Sequence, residues 1–533
     1  MKSKTTLLTV FLLITLFSYS QDTSILATLN PGYNARVIGK IDNSVIFHDG
    51  PNIYISDGSE SGTKVIGEMT NDVVVSHSRT ELKGKYYFIL QGDRFSNDPI
   101  ENSLIEIDPV DQTMTRILEN QKKITGLINY NGSLYFGLSE HPTYGSSYMK
   151  FDVETSELQE VFKITNEGVE DAIRHQGLIY LILKSTTQSG TYLAKSNGGV
   201  GILDEYYYLG NSEDRNIDPN RINMTSAANK LYFWHSLDYT FYSLYVTEGA
   251  SSNTLKLKED FRRNSANDYS VHRYRDIITQ NDRIIFDAQD VAGNPTVSRL
   301  WASDGTVNGT NELFYEGEGI RFARDFALLG SELYLSGEKA ISSSKNRILS
   351  ISENTDVLNS AISFTGQSND ISEGGWGLTN HNEKLYFSAI TIGGWIDLYT
   401  KSSTSNTINR VAIIEENIGY ILEDFVSAGN NLFFFLMNAN SNSQLRIYKP
   451  EPSSSVEPDN KLYSIYPNPA RSRINVSGHN DSAIINIIDA NGRIIEKHLG
   501  ENQTIDVSNL ESGIYYLQIQ GDNSYIPIPF IKF

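Results

Sequence analysis

The chain has 533 residues, with 64 acidic side chains against 44 basic ones and a formal net charge of −20. An acidic balance of this size opposes binding to nucleic acids and to anionic lipids, because both need a basic protein surface. The sequence contains no cysteine, which excludes disulfides, thiol catalysis and cysteine-based zinc sites. A chain of this length can bury a large core without such cross-links.

The first twenty residues have the organisation of a secretory signal peptide. Lys2 and Lys4 are basic, residues 7–17 are apolar, and Ser18-Tyr19-Ser20 is a small-x-small cleavage site. The apolar run is shorter than the roughly 20 residues of a membrane-spanning helix, and no later stretch is long enough. We therefore predict a signal peptide over residues 1–20 and an exported chain without a transmembrane segment. A retained N-terminal anchor is the alternative.

A repeat of about 48 residues occupies most of the sequence, and each copy contains a turn followed by Leu-Tyr-Phe or a related triplet. Self-similarity with a period of roughly 40–50 residues and short β-type runs is typical of a β-propeller, with one blade per repeat. We therefore predict an all-β protein whose residues 21–450 form a propeller of about nine four-stranded blades, with eight blades as the alternative. The nine triplets are Val45-Ile46-Phe47, Tyr86-Tyr87-Phe88, Leu134-Tyr135-Phe136, Ile179-Tyr180-Leu181, Leu231-Tyr232-Phe233, Ile284-Ile285-Phe286, Leu333-Tyr334-Leu335, Leu385-Tyr386-Phe387 and Leu432-Phe433-Phe434.

The sixth copy shows the pattern of one blade, whose strands we call a, b, c and d. Strand a is predicted over 276–279, strand b over 283–288, strand c over 299–302 and strand d over 311–315, because β-branched and aromatic residues alternate there between turn residues. The ninth copy ends at its strand c, and residues 23–32 resemble a strand d with no blade before it. We expect these two fragments to pair and to close the ring, which removes two free strand edges.

A Ser-Asp-Gly turn joins strands c and d in two copies, at Ser56-Asp57-Gly58 and Ser303-Asp304-Gly305. An Asp side chain can accept hydrogen bonds from the backbone ahead of it, and Gly tolerates the positive φ of a tight turn. We interpret these segments as turns. A calcium site is the alternative, since carboxylate loops bind hard cations.

Long connections between strands b and c, and between d and the next a, should lie on one face of the ring, where loops on a rigid scaffold commonly bind ligands. Aromatic residues on this face could stack on a sugar or anchor a protein, although packing between blades would also explain them. Trp301 falls on a strand-c position and is predicted to be core. The long connections are 91–102, 139–146, 204–220 and 261–272; the aromatic residues are Tyr206, Tyr207, Tyr208, Trp234, Phe241 and Tyr242; and the one basic cluster is Arg262, Arg263, His272, Arg273 and Arg275.

Two stretches resemble known families. Residues 300–306 and 53–58 are similar to the "ELWVSDGT" repeats of secreted Bacteroidetes proteins, which implies propeller blades. Residues 461–533 resemble the type A sorting domain of the type IX secretion system, with a polar linker over 451–460. The matching elements are Tyr466, Pro467, Asn468, Pro469, Asp489, Gly492, Gly513 and Tyr515.

The sorting-domain resemblance implies a small β-sandwich that an outer-membrane translocon recognises, followed by removal of the domain or attachment of the passenger to surface glycolipid. Asn491-Gly492 between two apolar runs independently predicts a hairpin. We expect Pro527 and Pro529 to interrupt the last strand, and Gly513 to occupy a turn with positive φ.

Catalytic motifs are absent from the sequence: there is no G-x-S-x-G and no H-E-x-x-H, and the nine histidines are scattered singly. The sequence therefore indicates no catalytic residue, no metal ligand and no cofactor. We expect a secreted or surface-attached noncatalytic binding protein, with a glycan or protein ligand on the long-loop face. The alternative is a carbohydrate-active propeller enzyme, which needs paired carboxylates about 5–10 Å apart in the central mouth.

Overall fold

A computed structural model gives the structure of the protein. The residues that it describes are 23–30, 35–69, 73–92, 102–121, 123–139, 146–164, 167–185, 190–201, 203–211, 224–236, 241–262, 277–288, 299–340, 347–353, 355–362, 371–391, 396–403, 408–415, 420–438, 443–450, 464–466, 470–477, 484–488, 494–499, 504–510, 513–520 and 525–533. The predicted signal peptide and linker lie outside these residues.

The chain divides into two compact units, Met1–Lys449 and Pro450–Phe533. Among the described residues, one 3-10 turn (Ser251–Asn253) is the only helical segment, which makes this an all-β protein. The strands of the first unit are β1 (Ser24–Thr28), β2 (Arg36–Ile41), β3 (Ser44–His48), β4 (Asn52–Ser56), β5 (Lys64–Glu68), β6 (Val73–Leu82), β7 (Lys85–Gln91), β8 (Asn102–Asp108), β9 (Thr113–Gln121), β10 (Lys123–Tyr130), β11 (Ser133–Ser139), β12 (Ser146–Asp152), β13 (Glu157–Ile164), β14 (Glu167–His175), β15 (Leu178–Ser185), β16 (Gly190–Ser196), β17 (Asp204–Asn211), β18 (Met224–Ala227), β19 (Lys230–Ser236), β20 (Phe241–Thr247), β21 (Leu255–Arg262), β22 (Ile277–Gln280), β23 (Arg283–Ala288), β24 (Arg299–Ser303), β25 (Thr310–Glu312), β26 (Phe314–Tyr315), β27 (Glu318–Leu329), β28 (Glu332–Lys339), β29 (Arg347–Ile351), β30 (Leu358–Ser360), β31 (Ile371–His381), β32 (Lys384–Thr391), β33 (Ile396–Ser402), β34 (Ile408–Glu415), β35 (Tyr420–Ala428), β36 (Asn431–Asn438) and β37 (Ser443–Tyr448).

These strands form a β-propeller. The described part of the first unit contains nine antiparallel sheets, eight of them built from consecutive strands. Contacts between neighbouring sheets converge on the strand-a positions β2, β6, β10, β14, β18, β22, β27, β31 and β35, and β35 returns to contact β2. The strands a therefore surround the centre of a closed ring, with each strand d at the rim.

The ninth sheet has the order β1-β37-β36-β35, so its outermost strand comes from the start of the chain. β1 runs antiparallel to β37, with Ser24 opposite Ile447 and Thr28 opposite Gln444. This confirms the predicted closure. We call this sheet the closing sheet.

The repeated triplet provides the contacts within and between sheets. Its third residue stacks on the residue opposite it in strand c: Phe47 on Tyr54 (centroids 4.8 Å apart) and Phe233 on Tyr245 (5.3 Å). Such cross-strand aromatic pairs stabilise a sheet beyond the burial of their area. Alternation of side chains along strand b then directs the middle residue of the triplet toward the next sheet.

The middle tyrosine reaches the turn between strands c and d of the following sheet. The Tyr135 hydroxyl donates to the Gly198 carbonyl (3.3 Å), and the Tyr232 hydroxyl lies 3.4 Å from the Ser303 carbonyl. Where the triplet reads Ile284-Ile285-Phe286, Arg283 takes over this contact and donates to the carbonyls of Ser352 (2.9 Å) and Thr355 (2.8 Å). The repeat thus specifies the sheet-to-sheet junction as well as the strand.

The sixth sheet differs from its prediction at strand d. β25 ends at Glu312, and Phe314–Tyr315 pairs instead with the start of β27 in the next sheet. Glu316 and Gly317 both have positive φ (52° and 78°), so a tight two-residue turn reverses the chain before strand d can continue.

The rim strands protect the free edges of the sheets. In seven of the nine described c–d pairs the register shifts within the pair, which indicates a β-bulge. The other two rim strands, β25 and β30, are only three residues long. Bulged or short edges are poor templates for pairing with another chain.

The second unit is a β-sandwich of a three-stranded and a four-stranded sheet, with orders β38-β39-β42 and β41-β40-β43-β44. One apolar cluster between the sheets contains Ile474, Val476, Ile485, Leu517 and Phe530. Its strands are β38 (Ser464–Tyr466), β39 (Arg473–Ser477), β40 (Ile484–Ile488), β41 (Ile494–Leu499), β42 (Thr504–Asp506), β43 (Gly513–Gln520) and β44 (Tyr525–Lys532).

Candidate functional site

The residues of the sorting motif fall on different parts of the sandwich. The backbone of Tyr466 pairs with Asn475 in the three-stranded sheet. Tyr515 is buried in the core, with its ring stacked 5.8 Å from Phe530, which accounts for an aromatic residue there by packing alone. Pro467, Asn468, Pro469, Asp489 and Gly492 lie outside the described residues, although β40 and β41, which flank Asn491-Gly492, pair antiparallel as predicted.

Gly513 does not have the positive φ that we predicted. It is the first residue of β43, where it pairs with Lys532, and its backbone is not in the left-handed region. A Cβ at this position would meet only the Tyr515 ring, at an ordinary contact distance of 3.7 Å. The turn ahead of β43 therefore places no conformational demand on Gly513 itself.

Pro527 and Pro529 do not interrupt the last strand, contrary to the prediction. β44 pairs with β43 over its whole length, including both prolines. It is an edge strand, and residues two apart direct their backbone groups to the same side, so both missing N–H groups face away from β43. On that outer side, the Ile531 carbonyl accepts from the Ala470 N–H (2.7 Å) and the Phe533 N–H donates to the Ala470 carbonyl (3.0 Å). The prolines and Ala470 together cover this edge.

The Asp-Gly turns of the propeller are held by their own side chains. Asp57 Oδ1 accepts from the Ser59 N–H (2.8 Å) and hydroxyl (2.7 Å), and these bonds, chiefly the Ser59 hydroxyl, lower the pKa of Asp57. Asp304 makes the same two bonds to Thr306. Gly58 and Gly305 have φ of 87° and 85°, which confirms the predicted backbone.

The turn interpretation extends to a copy that the sequence analysis missed. At Ser196-Asn197-Gly198, the Gly198 N–H donates to Ser196 Oγ (3.1 Å), and Asn197 Oδ1 accepts from the Gly199 N–H (2.9 Å). The sequence analysis missed this copy because Asn stands in place of Asp, although the Asn side chain accepts the same backbone hydrogen bond. Within the described part of the chain, no group of three or more His, Asp or Glu side chains is arranged to hold a metal ion.

Carboxylates at the centre of the ring bind the neighbouring sheets. Asp325 and Asp424 have positive φ (54° and 52°) at bulges in strands a. Asp325 Oδ2 accepts from the Gly377 N–H, and Asp424 Oδ2 from the Val37 N–H, both at 3.1 Å. Such strained backbone persists where surrounding contacts hold it. These two carboxylates therefore contribute to the assembly of the ring.

The predicted aromatic surface is only partly at loops. Tyr206–Tyr208 belong to β17, so the connection that we predicted to begin at Asp204 begins after Asn211. Two register shifts between β16 and β17 break the alternation that would have indicated a strand. Tyr207 is half-buried, and Tyr208 is half-exposed at the rim.

The remaining aromatic predictions concern the fifth and sixth sheets. Trp234 packs edge-on against Phe261 (5.2 Å) and Phe286 (5.3 Å), which supports packing between blades. Trp301 is buried, as predicted. Phe261 lies in β21 rather than in a loop. The basic cluster beyond Arg262 lies outside the described residues.

The sequence analysis also missed two histidines that lie at equivalent junctions between neighbouring sheets. His175 Nδ1 lies 2.7 Å from Ser226 Oγ in the next sheet, and His381 Nδ1 lies 2.8 Å from Ser427 Oγ. Both are the last residue of a strand a, and burial lowers the pKa of each imidazole. The repeat alignment could have revealed their equivalent positions.

The sandwich matches a known family. Residues 464–531 match the family described as the secretion system C-terminal sorting domain. No curated protein sequence matches the chain. The structure contains no helix long and apolar enough to span a membrane in the residues that it describes. A sorting domain of this kind directs export by the type IX secretion system, so the protein is secreted or attached to the outer-membrane surface.

Solved structures similar to the chain include the β-propeller domain of the Trilobed protease from Pyrococcus furiosus, at 11% identity over 72% of this chain and 97% of that chain, with a TM-score of 0.34. PorZ, a surface component of the type-IX secretion system of Porphyromonas gingivalis, is 10% identical over 96% and 100% of the two chains, with a TM-score of 0.21. A puromycin hydrolase is 10% identical over 59% of this chain and 51% of its own, with a TM-score of 0.36, so the match spans about half of that enzyme. None of the three indicates an activity for this chain.

Proposed function

We propose that this protein is a noncatalytic binding protein that presents a propeller face outside the cell after delivery through its C-terminal domain. The observation that carries the proposal is the combination of a sorting-domain match over residues 464–531 with a separate unit built as a closed ring of sheets. The sorting domain directs export, and the ring provides a rigid support for loops of different length.

The long-loop face is the surface that we assign to binding. The connections b–c and d–a meet there, and they range from short links to the stretch between Asn211 and Met224. The opposite face carries tight turns whose polar side chains are occupied by their own backbone, as at Asp57 and Asp304. Glycans and protein segments are the ligand classes that such variable loops suit.

A noncatalytic role is supported by the use of the central carboxylates. Asp325 and Asp424 accept backbone N–H groups of the next sheet, and Glu170 lies 3.4 Å from Lys123 in the preceding sheet. A glycosidase needs carboxylates directed at the scissile bond. These three carboxylates are instead engaged in contacts with neighbouring sheets.

Export is tested by fractionating a Bacteroidetes host with an active type IX system. A variant that ends at residue 460 should remain in the periplasm, because the N-terminal signal serves only the inner membrane. The matched gain-of-function control is a fluorescent protein carrying residues 1–22 at its start and 451–533 at its end, which should reach the surface or medium. Equal export of the truncated and full chains would refute delivery through this domain.

Binding is tested on the purified chain with a glycan array and, in parallel, a polysaccharide-degradation screen. The proposal expects retention of at least one glycan or surface-protein ligand without turnover. Release of sugar products by the chain would instead establish the enzyme alternative. A variant with the connection 212–223 shortened, which leaves every described strand intact, should lose binding if the long-loop face is the site.

A further inference from the structure

The innermost strand of the closing sheet, β35, is held by both neighbouring sheets. On one side the Asp424 carboxylate accepts from the Val37 N–H and lies 4.0 Å from Arg36, and Lys40 Nζ donates to the Ser427 carbonyl (2.8 Å). The first and ninth sheets are thus joined by charged side chains at both ends of the contact.

His381 holds β35 from the other side. Its Nδ1 lies 2.8 Å from Ser427 Oγ, and the Thr379 hydroxyl donates to the Phe425 carbonyl (3.3 Å). Ser427 therefore contacts the eighth sheet through its hydroxyl and the first sheet through its carbonyl. The Lys40 ammonium, which donates to that carbonyl, disfavours a positive charge on the His381 ring.

A second, half-buried histidine, His48, lies where the closing strand β1 ends. His48 is opposite Arg36, and its Nδ1 accepts from the Gly50 N–H (3.3 Å). The next residue, Asp49, is fully buried, and its carboxylate accepts from the Asn30 N–H (3.1 Å) just after β1 and from the Tyr54 hydroxyl (2.7 Å).

Burial favours the neutral form of both histidines in the folded protein. Burial lowers the pKa of His48 to about 4; Arg36 lowers it further, and Asp49 and Asp424 oppose the shift. Burial also lowers the pKa of His381, where the Lys40 ammonium acts in the same direction. Protonation would add a positive charge at each site, which Arg36 disfavours at His48 and Lys40 disfavours at His381.

We propose that the closing sheet is an acid-sensitive element: protonation of His48 and His381 releases β35 and β1 while the other sheets stay folded. A histidine whose pKa is lower in the folded protein than in the unfolded chain favours the folded state. Its contribution to the free energy of unfolding is complete above the unfolded pKa of about 6.5. That contribution is lost progressively as the pH falls below this value. The expected range of opening therefore lies between neutral pH and about pH 4.

We expect the loss of this stabilisation to open the closing sheet rather than another sheet. Among the described rim strands, β1 is the one that no hairpin connects to its partner, and none of its five residues is buried. The other eight sheets are formed by consecutive strands. Local opening occurs where few buried contacts hold a segment. His175 provides an internal comparison, since it makes the same contacts between two sheets of consecutive strands.

Thiol labelling tests the proposal on the full chain, which has no cysteine of its own. Ala428→Cys, buried at the end of β35, reports the closing sheet, and Ala227→Cys, buried at the end of β18, reports a sheet elsewhere. Labelling with dithiodipyridine is measured at about pH 7.5 and about pH 5 and divided by the rate of the same variant in denaturant at the same pH. We expect the normalised rate at Ala428→Cys to rise at least about tenfold at the lower pH, and the rate at Ala227→Cys to stay within about twofold.

Histidine variants assign the effect. His48→Gln with His381→Gln, added to Ala428→Cys, should abolish the rise, whereas His175→Gln should leave it unchanged. No rise in the parent, an equal rise at Ala227→Cys, or a rise that persists in the double variant would each overturn the proposal. If the double variant does not fold at neutral pH, the single variants decide the question: each must reduce the rise, and two unaffected single variants would overturn it.

Discussion

Leu29 offers the most direct test of ring closure by the start of the chain. It follows β1, its N–H donates to the Ser443 carbonyl (3.0 Å), and its side chain is 4% exposed in a cluster with Phe47 and Phe435. Replacing a buried Leu by Ala removes its transfer free energy and leaves a cavity, at a cost of about 3 kcal/mol. Leu29→Ala should therefore lower the free energy of unfolding of the propeller by about that amount.

The assay is denaturant unfolding followed by tryptophan fluorescence, since all four tryptophans lie between residues 234 and 395 and report the propeller alone. Leu255→Ala is the matched control: Leu255 also lies in a rim strand but is 45% exposed, and its loss should cost less than about 1 kcal/mol. If Leu29→Ala destabilises no more than Leu255→Ala, the N-terminal strand does not close the ring in solution.

Three further predictions concern other positions. The pKa of His175 is lowered by burial, so acidification below about pH 6.5 should destabilise the parent more than His175→Gln, as measured by thermal unfolding across that pH range; equal slopes would contradict a neutral buried imidazole. Gly305→Ala should cost more stability than Gly84→Ala, because both have positive φ but only the Cβ at Gly305 would meet a neighbour, Lys230 Cδ at 2.7 Å; equal costs in denaturant unfolding would show that φ alone decides. Gly513→Val should leave export unchanged in cell fractionation, because the position is an extended strand residue with space for a Cβ; retention in the periplasm would mean that Gly513 itself is recognised.

Much of the fold could be predicted because each repeat contains the local sequence signals for its own strands and turns. The triplet at Leu231 marks strand b, and the turn at Ser303 sets the reversal between strands c and d, both through local backbone and side-chain chemistry. The unpaired fragments at the two ends of the repeat predicted the closing sheet. The sorting domain was predictable for the same reason, since its motifs are short and occur in a fixed order.

Other features could not be predicted because they depend on partners far apart in sequence. Bulges at Asp325 and Asp424 are held by the N–H groups of neighbouring sheets, and nothing adjacent in the chain indicates them. Register shifts in β17 concealed a strand behind Tyr206–Tyr208. Pro527 and Pro529 predicted a break in the strand because the sequence does not show that β44 is an edge strand, where prolines are tolerated.

The sequence alone determined the all-β class, the repeat, the closure by the first strand and the sorting domain, because each follows from side-chain patterns within a few residues. The tertiary structure alone decided which polar groups join one sheet to the next. His381 reads as an isolated histidine along the chain, and it is joined to Lys40 through Ser427 only when the eighth, ninth and first sheets meet. Burial lowers the pKa of His381, and the Lys40 ammonium, more than 300 residues away in the chain, acts in the same direction, which no local pattern records.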